Sequence, residues 1–212
     1  MPDRIATTFT DQGVFITGGT GFMGKVLIEK LLRKCPDIDQ IYLLVRQKKG
    51  KAPTQRLEEL FEDLFTKLLD LRGGLAPLLS KVTLIAGDAS LPDLAISAED
   101  RAMLVEKANI VIHAAATIRF DEELKKAVLL NVRGTKMVIK LAKECKNLKL
   151  FIHVSTAYCH LHEKLLEEKA YPPPADPHQI IQAVEWMDEE TVAALAPKYG
   201  IVKSKKIWNC KF

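Results

Sequence analysis

The sequence predicts a doubly wound α/β domain, a parallel sheet of five strands with helices on both faces. Three observations carry that prediction. Short β-rich runs alternate with longer helical patterns along the chain. The β-rich runs are apolar throughout rather than every second residue, as strands covered on both faces are. The first run is joined to the first helical pattern by a loop of four glycines, in VFITGGTGFMGKVLIEKLL.

Residues 1–12 read as an N-terminal tail, 13–197 as the domain and 198–212 as a divergent basic tail. The expected strands are Val14–Thr17, Ile41–Arg46, Val82–Ala86, Ile110–His113 and Leu150–Ser155, each a short run rich in Val, Ile and Leu. Helical spacing of apolar residues predicts helices over Phe22–Lys34, Thr54–Leu71, Ser97–Glu106 and Glu122–Cys145, with Ser97 and Asp100 placed as a capping box. After Ser155 the rhythm fails. His160 to Pro177 is charged and then proline-rich, which reads as a loop excursion. A short helix over Asp188–Leu195 follows, capped by Asp188 and stopped by Pro197. No sixth βα unit follows, so the Rossmann-like fold is expected to be incomplete at its C-terminus.

Bulk properties exclude several classes. A chain of 212 residues that is 48% hydrophobic has the composition of one globular domain. The net charge of +4 comes from 31 basic against 27 acidic residues scattered along expected helix faces, so a solvated surface explains it better than nucleic-acid binding. Cys35, Cys145, Cys159 and Cys210 lack paired ligand spacing and no leader precedes them, which favours reduced thiols and a cytoplasmic setting. No run is apolar for the roughly 20 residues that cross a bilayer. The histidines His153, His160 and His162 have no acidic or cysteine partner at ligand spacing, so no metal site is expected.

The glycines carry the first chemical signal. Gly19 to Gly24 satisfies GxGxxG, and Gly18, Gly21 and Gly24 satisfy the related GxxGxxG spacing, with Phe22 and Met23 inside the motif. A strand before it and a helix after it are the context in which such a loop binds a dinucleotide. Glycine permits positive φ in the turn and leaves no Cβ between backbone amides and a pyrophosphate, whose charge the helix N-terminus stabilises. Thr17 ends the strand that feeds this turn. A phosphate-binding loop of the Walker type is excluded, because Gly24 is followed by Lys25-Val26 rather than by Lys-Ser or Lys-Thr.

The end of the second strand distinguishes the nucleotides. NAD-specific sites place an acid there to bind the ribose 2′-hydroxyl; this chain has Arg46-Gln47-Lys48-Lys49. A guanidinium grips a 2′-phosphate by paired hydrogen bonds, so Arg46 points to NADP(H), the alternative being a merely solvated loop. Asp88 and Ala89 close the third strand, with Asp88 either accepting from the adenine amino group or capping a turn. Ala114, Ala115 and Ala116 close the fourth, where small side chains let backbone lie against cofactor, and His113 before them reads as a packed strand-end residue sooner than a catalytic base. Ser155 and Thr156 set two hydroxyls beyond the fifth strand, over the expected nicotinamide position.

Together TGGTGFMG, Arg46, GDAS, VIHAAATIRFDEELKKAVLLNVRGT and LKLFIHVSTAY resemble the extended short-chain dehydrogenase/reductases, and among them the fatty acyl-CoA reductases of the male-sterility, thioester-reductase-like group. The resemblance covers about residues 10 to 197. It implies NADPH-dependent reduction of a long-chain fatty acyl-CoA, through an aldehyde, to a fatty alcohol. It maps the glycine motif to Thr17, Gly18, Gly21 and Gly24, the NADP arginine to Arg46, the adenine-side acid to Asp88 and a structural asparagine to Asn131. The active-site hydroxyl falls on Thr156, with Ser155 the close alternative, and stabilises the oxyanion that develops as hydride arrives. In the family a Tyr-x-x-x-Lys pair supplies the proton. Tyr199 and Lys203 have that spacing, but Gly200 follows the tyrosine and a basic tail replaces the expected long helix, so the sequence reads as diverging near residue 198. The family's acyl-binding and membrane-associated regions have no counterpart in these residues; endoplasmic reticulum or peroxisomal membrane association is what the resemblance implies for a full-length protein. Two alternatives remain: a catalytically inactive NADP-binding module, and another extended reductase such as a sugar-nucleotide epimerase, which expects its Tyr-x-x-x-Lys closer to Thr156.

Overall fold

The computed structural model of the chain describes residues 3–46, 78, 80–119, 122–156, 160, 163–173 and 175–195. Five parallel strands form one sheet in the order β3-β2-β1-β4-β5. They are β1 (Gly13–Thr17), β2 (Gln40–Val45), β3 (Val82–Ala86), β4 (Ala108–His113) and β5 (Leu150–His153). The chain builds outward from β1 to β3, then returns to lay β4 on the other side of β1. That reversal makes the carboxyl ends of β1 and β4 the switch point at which open sheets of this kind bind ligands.

The helices are α1 (Arg4–Phe9), α2 (Phe22–Lys34), α3 (Ala98–Lys107), α4 (Leu124–Ala127), α5 (Gly134–Glu144), α6 (Pro177–Trp186) and α7 (Glu189–Leu195), with a π-helical turn, Val128–Arg133, between α4 and α5. Alternate residues of each strand face opposite layers. Val14, Ile16, Ile41, Leu43, Ile110 and Ile112 pack with Ile28, Leu31 and Leu32 of α2, and Phe9 of α1 joins them. Phe15, Tyr42, Leu44, Ile85 and Val111 pack on the other face with Leu104 of α3 and Val138 and Leu141 of α5. Each fully buried side chain of this kind stabilises the fold by about 1.5–3 kcal/mol.

The sequence located the five strands to within two residues, and the doubly wound parallel sheet is as expected. Ser97 caps α3 by accepting from the Asp100 N–H at 3.0 Å, and Asp188 starts α7 by accepting from the Thr191 N–H at 2.7 Å. The pattern over Thr54–Leu71 lies outside the described residues. Three differences have local causes. The N-terminal residues read as a tail include α1, which Asp3 caps by accepting from Ile5 and Ala6 and which Phe9 anchors in the core. The single helix expected over Glu122–Cys145 is interrupted by the π-helical turn. The stretch after the prolines contains α6, capped by Asp176, opened by Pro177 and docked through Ile181 and Val184 onto Val128 and Val132. Its signal was present as an Asp-Pro start followed by apolar residues at helical spacing.

Candidate functional site

The glycine turn leaves β1 at Gly18, whose φ is +75° and whose missing Cβ would lie 2.5 Å from the Ala114 carbonyl carbon beyond β4. Both backbone conformation and space demand glycine there. Gly24, inside α2, is constrained by space alone, since a Cβ would sit 2.3 Å from the Gly18 carbonyl oxygen where α2 crosses the turn. Gly21 is different. Its φ of −80° suits any residue, and a Cβ would meet a single described atom, the Gly18 carbonyl oxygen at 3.3 Å. That contact is tighter than an ordinary van der Waals approach and is made to backbone, so a side chain at Gly21 would ask the turn to shift by a few tenths of an ångström, less than at Gly18 or Gly24. Gly21 caps α2 without a side-chain hydrogen bond, and the first turn of α2 holds no acid. The amides at the start of a helix have no intrahelical acceptor, and their partial positive charge suits an anion. Phe22 and Met23 are 76% and 62% exposed, so they border this position with their backbone and turn their side chains to solvent.

A buried hydrogen-bonded chain fixes the floor of the crevice. Thr135 Oγ1 donates to the Asn131 carbonyl at 2.7 Å and therefore accepts from His113 Nε2–H at 2.9 Å. That leaves His113 Nδ1 as an acceptor for Thr17 Oγ1–H at 2.6 Å, and Thr17 Oγ1 in turn accepts from the Ala115 N–H at 3.3 Å. Thr17 and His113 are both fully buried. Burial, and then the neighbouring His153, push the His113 pKa down to about 3, so the ring is neutral across the physiological range. His113 is thus the packed strand-end residue the sequence favoured. Thr17 serves the site by anchoring the turn, with its hydroxyl proton committed to His113. Asn131 holds the next stretch, accepting from the Thr117 N–H at 2.9 Å and donating to the Thr117 carbonyl at 3.3 Å. Its place in the π-helical turn accords with the frequent occurrence of such turns at functional sites.

The remaining candidates fall along the same sheet edge. Arg46 directly follows β2 and is exposed. Asp88 follows β3 by two residues, and its Oδ1 accepts from both the N–H and the hydroxyl of Ser90, at 2.8 and 2.7 Å. Ala89 is buried, Ala114 and Ala115 are half-buried and Ala116 is exposed. Ser155 and Thr156 lie just past β5, where the Val154 N–H donates to the His113 carbonyl at 2.9 Å and the His153 ring stacks on His113 at 5.1 Å. Tyr199 and Lys203 lie outside the described residues. Thr135, Arg133 and Glu185 escaped the sequence reading; only the spacing of Thr135, four residues after Asn131, hinted at its role. Among the described residues no cluster of His, Cys, Asp and Glu has the arrangement of a metal site, and no helix is long and apolar enough to cross a membrane.

Residues 16–205 match the family of NAD-binding domains described as male sterility protein. The chain belongs to that family. It is 46% identical over 191 residues to fatty acyl-CoA reductase 1 of Homo sapiens, covering 90% of this chain and 36% of that protein. It is 47% identical over 190 residues to fatty acyl-CoA reductase wat of Drosophila melanogaster, covering 89% and 36%. The chain therefore spans about a third of the length of these curated relatives. Among solved structures it is similar to the reductase domain of a nonribosomal peptide synthetase from Mycobacterium tuberculosis, with a TM-score of 0.54 and 28% identity over 74% of this chain and 38% of that one. The terminal R domain of the myxalamid biosynthetic pathway shares the fold at a TM-score of 0.62, with 23% identity over 91% and 47% of the two chains. Membership of the family makes the ligand of the crevice a nicotinamide dinucleotide, NAD(P)(H). The residues present fit it: a glycine turn with no side chain beyond Cα, a helix start without an acid, and small residues from two strand ends, Gly18 and Ala114, meeting beside it.

Proposed function

We propose that this chain is the NADP(H)-binding portion of an enzyme that reduces long-chain fatty acyl-CoA to fatty alcohol. The observation that carries the reading is the glycine turn at the switch point, where Gly18 lies against the Ala114 backbone and α2 starts without an acid, in a chain about 45% identical to fatty acyl-CoA reductases. Arg46 favours the 2′-phosphate form of the cofactor, because it stands where an acid would otherwise bind a ribose hydroxyl. Asp88, through the carboxylate oxygen that Ser90 leaves open, accepts from the adenine amino group.

When bound, NADPH would supply hydride to the thioester carbonyl. The chain's own residues bind and orient. The glycine turn and the start of α2 would hold the pyrophosphate, and the Thr17–His113–Thr135 chain keeps the Ala114–Ala115 backbone in place beside that turn. Thr156, with Ser155 beside it, donates to the oxyanion that forms on the substrate, a contribution that grows as charge develops. Tyr199 and Lys203 are the candidates for proton supply. Expulsion of CoA as thiol leaves the aldehyde, and a second reduction gives the alcohol. The acyl-CoA substrate, and membrane association at the endoplasmic reticulum or peroxisome in a longer protein, belong to this proposal.

The test pairs binding with turnover. Fluorescence titration should give tighter binding of NADPH than of NADH, and Arg46→Asp should weaken NADPH more; equal losses for the two cofactors would refute the phosphate role. Turnover is read as NADPH oxidation with palmitoyl-CoA, in this chain and in one extended to the length of the relatives. Binding without turnover in both would leave a dinucleotide-binding module and remove the reductase reading.

A further inference from the structure

Arg133 ends the π-helical turn with its side chain 9% exposed. Its Nη1 donates to Glu185 Oε1 of α6 at 2.7 Å and its Nη2 donates to the Ser90 carbonyl, while the buried Nε–H has no partner among the described residues. Burying a guanidinium with a donor unpaired is unfavourable, so the arrangement is informative about what it holds. Ser90 is the residue whose N–H and hydroxyl both bond Asp88 Oδ1. The preceding residue is held as well, because α5 begins at Gly134 and a Cβ there would sit 2.5 Å from the Ala89 carbonyl oxygen. The turn Asp88-Ala89-Ser90 is therefore gripped from within by the aspartate and from below by two consecutive residues, Arg133 and Gly134. Glu185 belongs to a helix that is itself tied down, by Ile181 and Val184 in the cluster around Val128 and Val132 and by Lys125 Nζ donating to the Met187 carbonyl at 2.7 Å.

We infer that Arg133 is a positioning residue for recognition of the adenine ring, aligning Asp88 through the Ser90 carbonyl, and that Glu185 makes this alignment depend on the docking of α6. The inference rests on the reading of Asp88 as the acceptor for the adenine amino group. Arg133 touches neither cofactor nor substrate; it fixes the turn that does. Its planar fork spans two acceptors on separate elements, which a lysine ammonium on a flexible stem does less well.

The test uses the 212-residue chain and two fluorescent probes, NADPH and its reduced hypoxanthine analogue, in which an oxo group replaces the adenine amino group. A carboxylate that accepts from the amino group should make the unaltered chain prefer NADPH by about tenfold, the effect of one charge-assisted hydrogen bond. Asp88→Asn should abolish that preference. Arg133→Met should bring the ratio of the two affinities to about one while leaving affinity for the hypoxanthine analogue within about twofold, and Arg133→Lys should restore part of the ratio. A ratio that stays near tenfold in Arg133→Met overturns the inference, and so does parallel weakening of both probes, which marks a general role in folding. If Arg133→Met does not fold, Glu185→Gln carries the test, since the Glu185 side chain is 44% exposed; its ratio should fall below half that of the unaltered chain, and an unchanged ratio overturns the inference. A ratio of one in the unaltered chain refutes the Asp88 reading itself, an outcome distinct from the others because it precedes any change to Arg133.

Discussion

Replacing His113 by phenylalanine should give a chain whose stability deficit is present near neutral pH and closes as the pH falls. In the folded protein the imidazole is buried between Thr17 and Thr135 and titrates near 3, against 6.5 for the same group in water. Between those values the unfolded chain takes up a proton at His113 and the folded chain does not. The folded state therefore loses about 1.4 kcal/mol for each pH unit of acidification in that window, and the whole interval from 6.5 to about 3 comes to about 5 kcal/mol. That is a large part of the 5–15 kcal/mol that holds a typical domain together. At pH 7.5 the imidazole is neutral in both states, and His113→Phe should cost about 2–4 kcal/mol, because it removes two hydrogen bonds and leaves the Thr17 hydroxyl without an acceptor. Thr135 keeps its bond to the Asn131 carbonyl, so only one hydroxyl is orphaned. At pH 4.5 the unaltered chain has already lost about 2–3 kcal/mol through His113, so the difference between the two proteins should close to near zero. Urea unfolding of both proteins from pH 4.5 to 8 measures this, and carboxylates common to the two cancel in the difference. A difference independent of pH would show that the folded chain protonates His113 normally and would refute the neutral, doubly bonded ring.

Two further substitutions test the site. Gly18→Ala combines a φ of +75° with a Cβ 2.5 Å from the Ala114 backbone; it should destabilise the fold by about 1–3 kcal/mol or more and abolish NADPH binding, read by thermal unfolding and fluorescence titration. Asn131→Ala removes both bonds to the Thr117 backbone and should cost about 1–3 kcal/mol, with a loss of cofactor affinity that Asn131→Asp recovers only in part, because a carboxylate accepts from the Thr117 N–H but cannot donate to its carbonyl.

Much of the fold was legible because its signals are local. Five apolar runs, a capping serine at Ser97 and the Asp188 cap each act within a few residues of themselves. The glycine motif announced itself in the same way, since a turn, a helix start and a strand end are contiguous in sequence. The break in the Glu122–Cys145 helix was not legible. The apolar spacing there continues through the π-helical turn, and the side chain that gives the turn its purpose, Asn131, bonds to Thr117 across 14 residues. The helix α6 was obscured by the prolines before it, which mark a loop so strongly that the Asp176-Pro177 start drew no attention.

The sequence by itself determined that this chain forms a parallel sheet with a nucleotide-binding turn at its first strand, because hydrophobic period and glycine spacing are properties of short segments. Only the tertiary structure decided the electrostatic state of His113 and the partners of Arg133. The contacts involved join residues 96, 52 and 43 apart in the chain: Thr17 with His113, Arg133 with Glu185, and Arg133 with Ser90. They exist because β4 returns to lie beside β1 and α6 folds back on the π-helical turn. Burial sets whether a histidine is neutral and whether an arginine is a surface charge or a fixed strut, and burial is a property of the assembled layers.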